Sequence, residues 1–145
     1  MPSLVLLLVV LGAPYKGTVD DAKRASEVAA QSFLQLVDEG RFSETWDSAA
    51  TLMKQQITRE RWRLLLEAAR SGTGKKEWRS HEGSHFTEIL PNTPEGAYVV
   101  VDYRSGFLKK PQVRERVTIV FEEGAWRVCG YWMNDDAEKA SLPKP

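Results

Sequence analysis

Few side chains in this 145-residue sequence could do chemistry: two histidines, one cysteine and a small set of acids. His81 and His85 lie four residues apart in a stretch that alternates like a strand. At about 3.3 Å per residue they sit about 13 Å apart on one face. Two ligands of one metal cannot be that far apart unless a bulge intervenes. Their phase, opposite to Trp78 and Phe86, puts both on the outer face of a sheet. No metal and no other cofactor is expected. Cys129 is the lone thiol, so neither a disulfide framework nor a thiolate cluster is available. No His or Asn is placed to activate it and it heads no helix, so it reads as a small filler and not as a nucleophile.

Glu115 is the acid of most interest. Alternation in "RERVTIVFE" puts it on the side of Val117 and Ile119, near a strand end and opposite Trp132. A carboxylate on an apolar face needs a partner, and Arg70, Arg79 and Arg104 are the candidates. Two readings stay open. One is a structural ion pair at the rim of the sheet. The other is a pocket carboxylate between helices and sheet, with Tyr103, Trp46 and Trp132 as walls; that one rests on fold-level analogy. Asp38 and Asp47 have no assignable histidine, and Asp102 shares the outer phase with Tyr98 and Arg104. No acid–base pair emerges, so the reading leans away from catalysis.

The elements that position these residues follow from periodicity. Asp20 and Asp21 can cap a helix carrying Ala22, Ala25, Ala29, Phe33 and Leu36 on one face, closed by Gly40. Ser43 caps a shorter helix with Trp46, Ala49 and Ala50. Thr58 opens a third with Trp62, Leu65, Leu66 and Ala69, ended by "SGTGKK" at 71–76. The period then falls to two, and strands are expected near 77–89, 97–107, 113–122 and 126–134, the last pair joined by the tight turn "EEGA". The fold class is α+β, with three N-terminal helices packed on one face of a four-stranded antiparallel meander. The tryptophans at 46, 62 and 78 read as core, not as a stacking platform for nucleic acid.

Alternation also assigns faces. Val99, Val101, Tyr103, Val117, Ile119, Phe121, Trp126, Val128 and Trp132 belong to the helix side, with Phe121 opposite Trp126 and Ile119 opposite Val128. Cys129 then points outward, opposite Thr118. Its face holds Tyr98, Val100, Thr118, Val120 and Tyr131, with Met133 and several arginines. That mix is too apolar for water and too charged for a core, and it is the composition interfaces show. A homodimer through this outer face is expected.

Bulk properties bound the rest. Residues 20–134 suffice for a single domain with a real core. Lys plus Arg and Asp plus Glu are both 20, so the net charge of zero leaves no electrostatic footprint for nucleic acid. Residues 1–19 contain "LVLLLVVL", Leu4 to Leu11, an apolar run that suits a secretory signal and is too short to span a bilayer. It lacks the usual preceding basic residues, and a buried first strand is the other reading. A periplasmic or secreted location is expected, with no transmembrane segment. Residues 135–145, "DDAEKASLPKP", form a polar tail.

Four stretches together resemble a known family: "FLQLVDEGRFSETWDSA" (33–49), "RERWRLLLEAARSGTGKKEWR" (59–79), "LPNTPEGAYVVVDYRSGF" (90–107) and "RERVTIVFEEGAWRVCGYWM" (114–133). The chain is similar to the uncharacterised bacterial family catalogued as domain of unknown function 4019 over residues 22–134. The most specific elements are W-R-V-x-G-Y ending at Tyr131 and Pro-x-Gly-x-Tyr-Val from Pro94 to Val99. The resemblance implies export and a cystatin-like or NTF2-like fold. It carries no catalytic residues, and Cys129 stands where a small residue such as Ala is more usual. The expected role is an exported, non-catalytic binding or interaction domain of the cell envelope, with an unknown small ligand or envelope protein as partner. The competing class is a small-molecule enzyme using the helix–sheet pocket.

Overall fold

A computed structural model describes residues 12–135. The signal-like run Leu4–Leu11 and the tail from 136 onward lie outside the described residues. Thr18 caps α1 (Val19–Asp38) by accepting the Asp21 N–H, which leaves Asp20 and Asp21 in the first turn, where the helix dipole favours acids. The buried stripe is Ala22, Ser26, Ala30, Phe33, Leu34 and Val37. It is rotated from the expected one because the bulk of Phe33, Leu34 and Val37 sets the phase, and Ala25 turns to solvent. Gly40, at a φ of 75°, ends the helix in the left-handed conformation that Gly adopts without cost.

The expected three helices are four among the described residues. They continue as α2 (Phe42–Asp47), α3 (Thr51–Lys54) and α4 (Arg59–Arg70). Ser43 does not cap α2; it lies inside it, and Arg41 precedes without a capping bond. The break before α3 has a cause in the sheet. The Ala50 N–H donates to the Val128 carbonyl at 2.8 Å. The buried Glu122 carboxylate accepts from the backbone N–H of Thr51 at 2.9 Å and of Leu52 at 3.3 Å. A sheet residue thus caps a single helical turn and holds it at the rim. Thr58 caps α4, as its position suggests, by accepting the Arg61 N–H.

The strands β1 (Lys76–Thr87), β2 (Tyr98–Phe107), β3 (Lys110–Glu122) and β4 (Ala125–Asp135) form one antiparallel sheet in that order. Glu123 and Gly124 both have positive φ, the hallmark of a tight hairpin turn between twisted strands. Ile119 faces Val128 and Phe121 faces Trp126. The core joins Phe33, Leu34, Val37, Met53, Trp62 and Leu66 to Val99, Val101, Tyr103, Val117, Ile119 and Val128. At the hairpin end the cover is Tyr15, whose ring lies 5.0 Å from Phe121 and 4.9 Å from Trp126.

Two bulges change the face assignments. In β4 the partner of Thr118 is Gly130 and the partner of Ile119 is Val128, so Cys129 is the extra residue. One extra residue reverses every side chain beyond it. Tyr131 therefore lies opposite Val117 and turns to the helices, against Phe33, instead of joining the outer face. Trp132 pairs with Arg116, leaves the helix side and is 46% exposed. Glu115 faces Met133, not Trp132. In β1 the register slips between His81 and Gly83. His81 then sits against Tyr103, 5.7 Å between rings, and not on the outer face with His85, which pairs with Val100. Trp78 is not core: it is 43% exposed and lies across Gly106, where an added Cβ would come within 2.0 Å of its indole nitrogen.

The outer face is divided. At the hairpin end Tyr98 and Val120 are fully buried under Ala50 and Leu52, with Leu90 and Cys129 alongside. The chain itself covers the residues whose apolar character suggested a partner. Val100 and Thr118 are half-buried. No helix of the described residues is long and apolar enough to cross a membrane.

Candidate functional site

The ends of α1 and α4 meet the sheet at a buried cluster of ions. Glu115, 1% exposed, accepts the Arg79 Nε at 2.9 Å and the Ser105 hydroxyl on Oε1. Its Oε2 accepts the Tyr131 hydroxyl and, at 3.5 Å, Arg70 Nη2. Asp38 binds the same two arginines from above. Its Oδ1 takes Arg70 Nη2 at 2.7 Å and Arg79 Nη2 at 3.0 Å, and its Oδ2 takes Arg79 Nη1 at 2.7 Å. The Arg70 guanidinium also stacks over Phe107, 4.6 Å from the ring centre. Arg104, the third candidate partner, is drawn outward to Glu82.

The electrostatics are those of a closed network. Burial pushes the Asp38 carboxyl up, but the hydrogen bonds and charges of Arg79 and Arg70 outweigh it and hold the group below the usual carboxylate range. Burial lowers Arg79, and Asp38 and Glu115 more than restore it. Tyr131 is held firmly protonated, first by burial and then by the Glu115 charge. Glu115 receives two guanidiniums and two hydroxyls, so its lone pairs are spent. A carboxylate in that state does not take a proton from a substrate.

Three of the four residues expected around one pocket, Glu115, Tyr103 and Trp132, line a single hollow of about 340 Å³ with Glu82, Asp102, Arg114 and Arg116, and Trp46 lies apart from it. Tyr103 is the cross-strand neighbour of Glu115. Trp46 sits in the helix layer, where its indole N–H donates to the Ile57 carbonyl at 3.1 Å and Lys54 lies 5.1 Å from its ring. Trp132 pairs with Arg116 on the face opposite the helices and reaches that hollow beside Asp102 and Arg116, which form a two-pronged ion pair at 2.7 and 3.1 Å.

A cleft of about 580 Å³ opens beside the ion cluster, between α1 and β1. Gln31, Gln35 and Asp38 line it from the helix, Lys76, Arg79 and His81 from β1, and Tyr103 from β2. Tyr103 is only 4% exposed, and its hydroxyl has no hydrogen-bond partner among the described residues. Burial pushes that phenol up to about 12. The β1 bulge adds a group the sequence reading overlooked. Ser84 donates to Glu27 at 2.6 Å, and the His81 Nε2 meets the same hydroxyl at 2.9 Å. This is not a nucleophilic triad. The serine proton is aimed at the carboxylate, and acid and serine do not sit on opposite ring nitrogens as a relay needs. Gly83 and Gly130, each beside a bulged residue, were the available signal, because a glycine inside a strand often marks one.

Cys129 faces α3 and the β1–β2 loop. Burial first, and the Glu122 charge second, push its thiol up to about 12, which leaves it inert as a nucleophile. Among the described residues no group of His, Cys, Asp and Glu could hold a metal ion.

No curated protein matches the chain. The model of one family, described as Protein of unknown function (DUF4019), matches residues 29–131, from the middle of α1 to Tyr131. The chain belongs to that family.

Proposed function

We propose that this DUF4019 member is a non-catalytic binding domain of the bacterial cell envelope, with a fold of the cystatin-like/NTF2-like kind. The observation that carries the reading is the state of Glu115. This acid, buried between helices and sheet, is saturated by Arg70, Arg79, Ser105 and Tyr131, so it braces the fold and has no capacity left for proton transfer. Binding is assigned to the cleft beside it, whose floor the ion cluster holds rigid. Export is supported by the apolar run Leu4–Leu11 ahead of the domain. A homodimer belongs to the same proposal, on the uncovered half of the outer face, where Trp132 and Thr118 lie.

The test is incubation of the protein with a bacterial metabolite extract, followed by mass spectrometry of retained and free compounds. The reading expects compounds retained unchanged. Depletion of a compound with appearance of a product, abolished by Glu115→Gln, would replace it with the enzyme reading. An export reporter fused to residues 1–21 tests the location, and light scattering at tens of micromolar tests the dimer.

A further inference from the structure

Resting on the binding reading, we propose that the α1–β1 cleft takes an uncharged, hydroxyl-bearing small molecule of the monosaccharide class. The charges that line the cleft cancel among themselves. Asp38 and Glu39 supply two negative charges, and Lys76 and Arg79 supply two positive ones. They are also engaged with one another. Asp38 holds Arg79 and lies 3.8 Å from Lys76, and Glu39 takes Arg41 at 3.1 Å and the Gln35 amide at 3.2 Å. An ion entering the cleft meets charges already balanced by a neighbour.

The hydrogen-bonding capacity left over belongs to neutral groups. The Tyr103 hydroxyl is buried at the cleft without an acceptor. A buried donor without a partner is destabilising, and such groups in folded proteins usually mark a place where something else completes the bond. On the helix wall Gln31 presents an exposed amide, which both donates and accepts. His81 spends Nε2 on Ser84 and keeps Nδ1. A phenol, an amide and an imidazole nitrogen match hydroxyl groups, which also donate and accept. Leu34, 2% exposed, lies beneath these groups and leaves the contact with a sugar ring to them. The volume of about 580 Å³ admits one or two such rings.

The experiment is a titration of the isotope-labelled chain by NMR with four probes on one pyranose skeleton: glucose, N-acetylglucosamine, glucuronate and glucosamine. The expected result is saturable shifts on α1 and β1 with the two neutral sugars, at a Kd of about 1 mM. Tyr103→Phe and, separately, the exposed Gln31→Ala should each weaken binding about fivefold, the worth of one hydrogen bond. No saturable shift with either neutral sugar overturns the inference. A response to glucuronate or glucosamine equal to that of the neutral sugars also overturns it, while leaving the cleft a binding site. Conversion of a probe in the same tube would instead sink the non-catalytic reading on which the inference rests.

Discussion

The Tyr131 hydroxyl donates to the Glu115 carboxylate across the β3–β4 pair, from a strand position that simple alternation assigns to the other face of the sheet. Cys129, bulged two residues earlier, is what turns it inward. Tyr131→Phe removes one donor and leaves Oε2 to Arg70 alone, at 3.5 Å. The expected cost is about 1–3 kcal/mol, that of leaving a buried acceptor under-satisfied. Urea melts of the two proteins check it, and a change under about 0.5 kcal/mol, the range of neutral surface changes, would contradict the inward placement.

Asp38 makes stability depend on pH in one direction. Its folded carboxyl lies below the ordinary value of 3.8, so its contribution is fully present above that value and is lost as pH falls through the folded one. Asp38→Asn leaves Arg70 and Arg79 with Glu115 alone and should cost about 3–5 kcal/mol at neutral pH. The gap between wild type and variant should close below about pH 4. Melts across that window measure it, and a gap that does not shrink in acid would count against the Arg70–Asp38–Arg79 bridge.

Tyr103→Phe should act in the opposite sense. The hydroxyl has no partner, so removing it relieves a desolvation penalty of about 1–3 kcal/mol at most and keeps the ring packing. Stability should rise or hold. A loss above about 1 kcal/mol would mean that the phenol already has a bond within the fold. Read with the sugar titration, this variant would be firmer and bind less.

Cys129 should be slow to label. Its thiol is pushed up to about 12, so alkylation near pH 8 is expected to be more than about a hundredfold slower than for a free peptide thiol. Glu122→Ala removes the cap on α3 and should cost about 1–2 kcal/mol. It should also speed the labelling, because α3 packs over that thiol. Fast labelling of the wild type would contradict the packed cover.

Much of this layout is legible from periodicity. The change from helical to strand spacing, the pairs Ile119–Val128 and Phe121–Trp126, and the helix-side place of Glu115 follow from counting, whereas of its three candidate partners, Arg70, Arg79 and Arg104, only the structure separates the first two from the third. Counting fails where a residue drops out of the ladder. Every face assignment after Cys129 inverts, which is why Tyr131 and Trp132 exchange sides, and the slip at Glu82 brings His81 inward in the same way. The folding of α3 over Tyr98 and Val120 escapes for another reason. It depends on Glu122, some seventy residues away in sequence, and no local pattern encodes a capping partner at that distance.

The bond from the Ala50 N–H to the Val128 carbonyl bears on how copies of this chain can associate. A sheet polymerises end to end when both of its outer strands offer unpaired backbone groups. Here β4 is interrupted at Val128 by the turn that leads into α3, and β1 is the only outer strand without such a plug among the described residues. A head-to-tail chain of sheets needs a β4 edge at every joint and cannot propagate. Two copies can still meet β1 to β1, and that contact closes on itself after one pairing. The Ala50–Val128 bond thus works as a terminator against fibre growth.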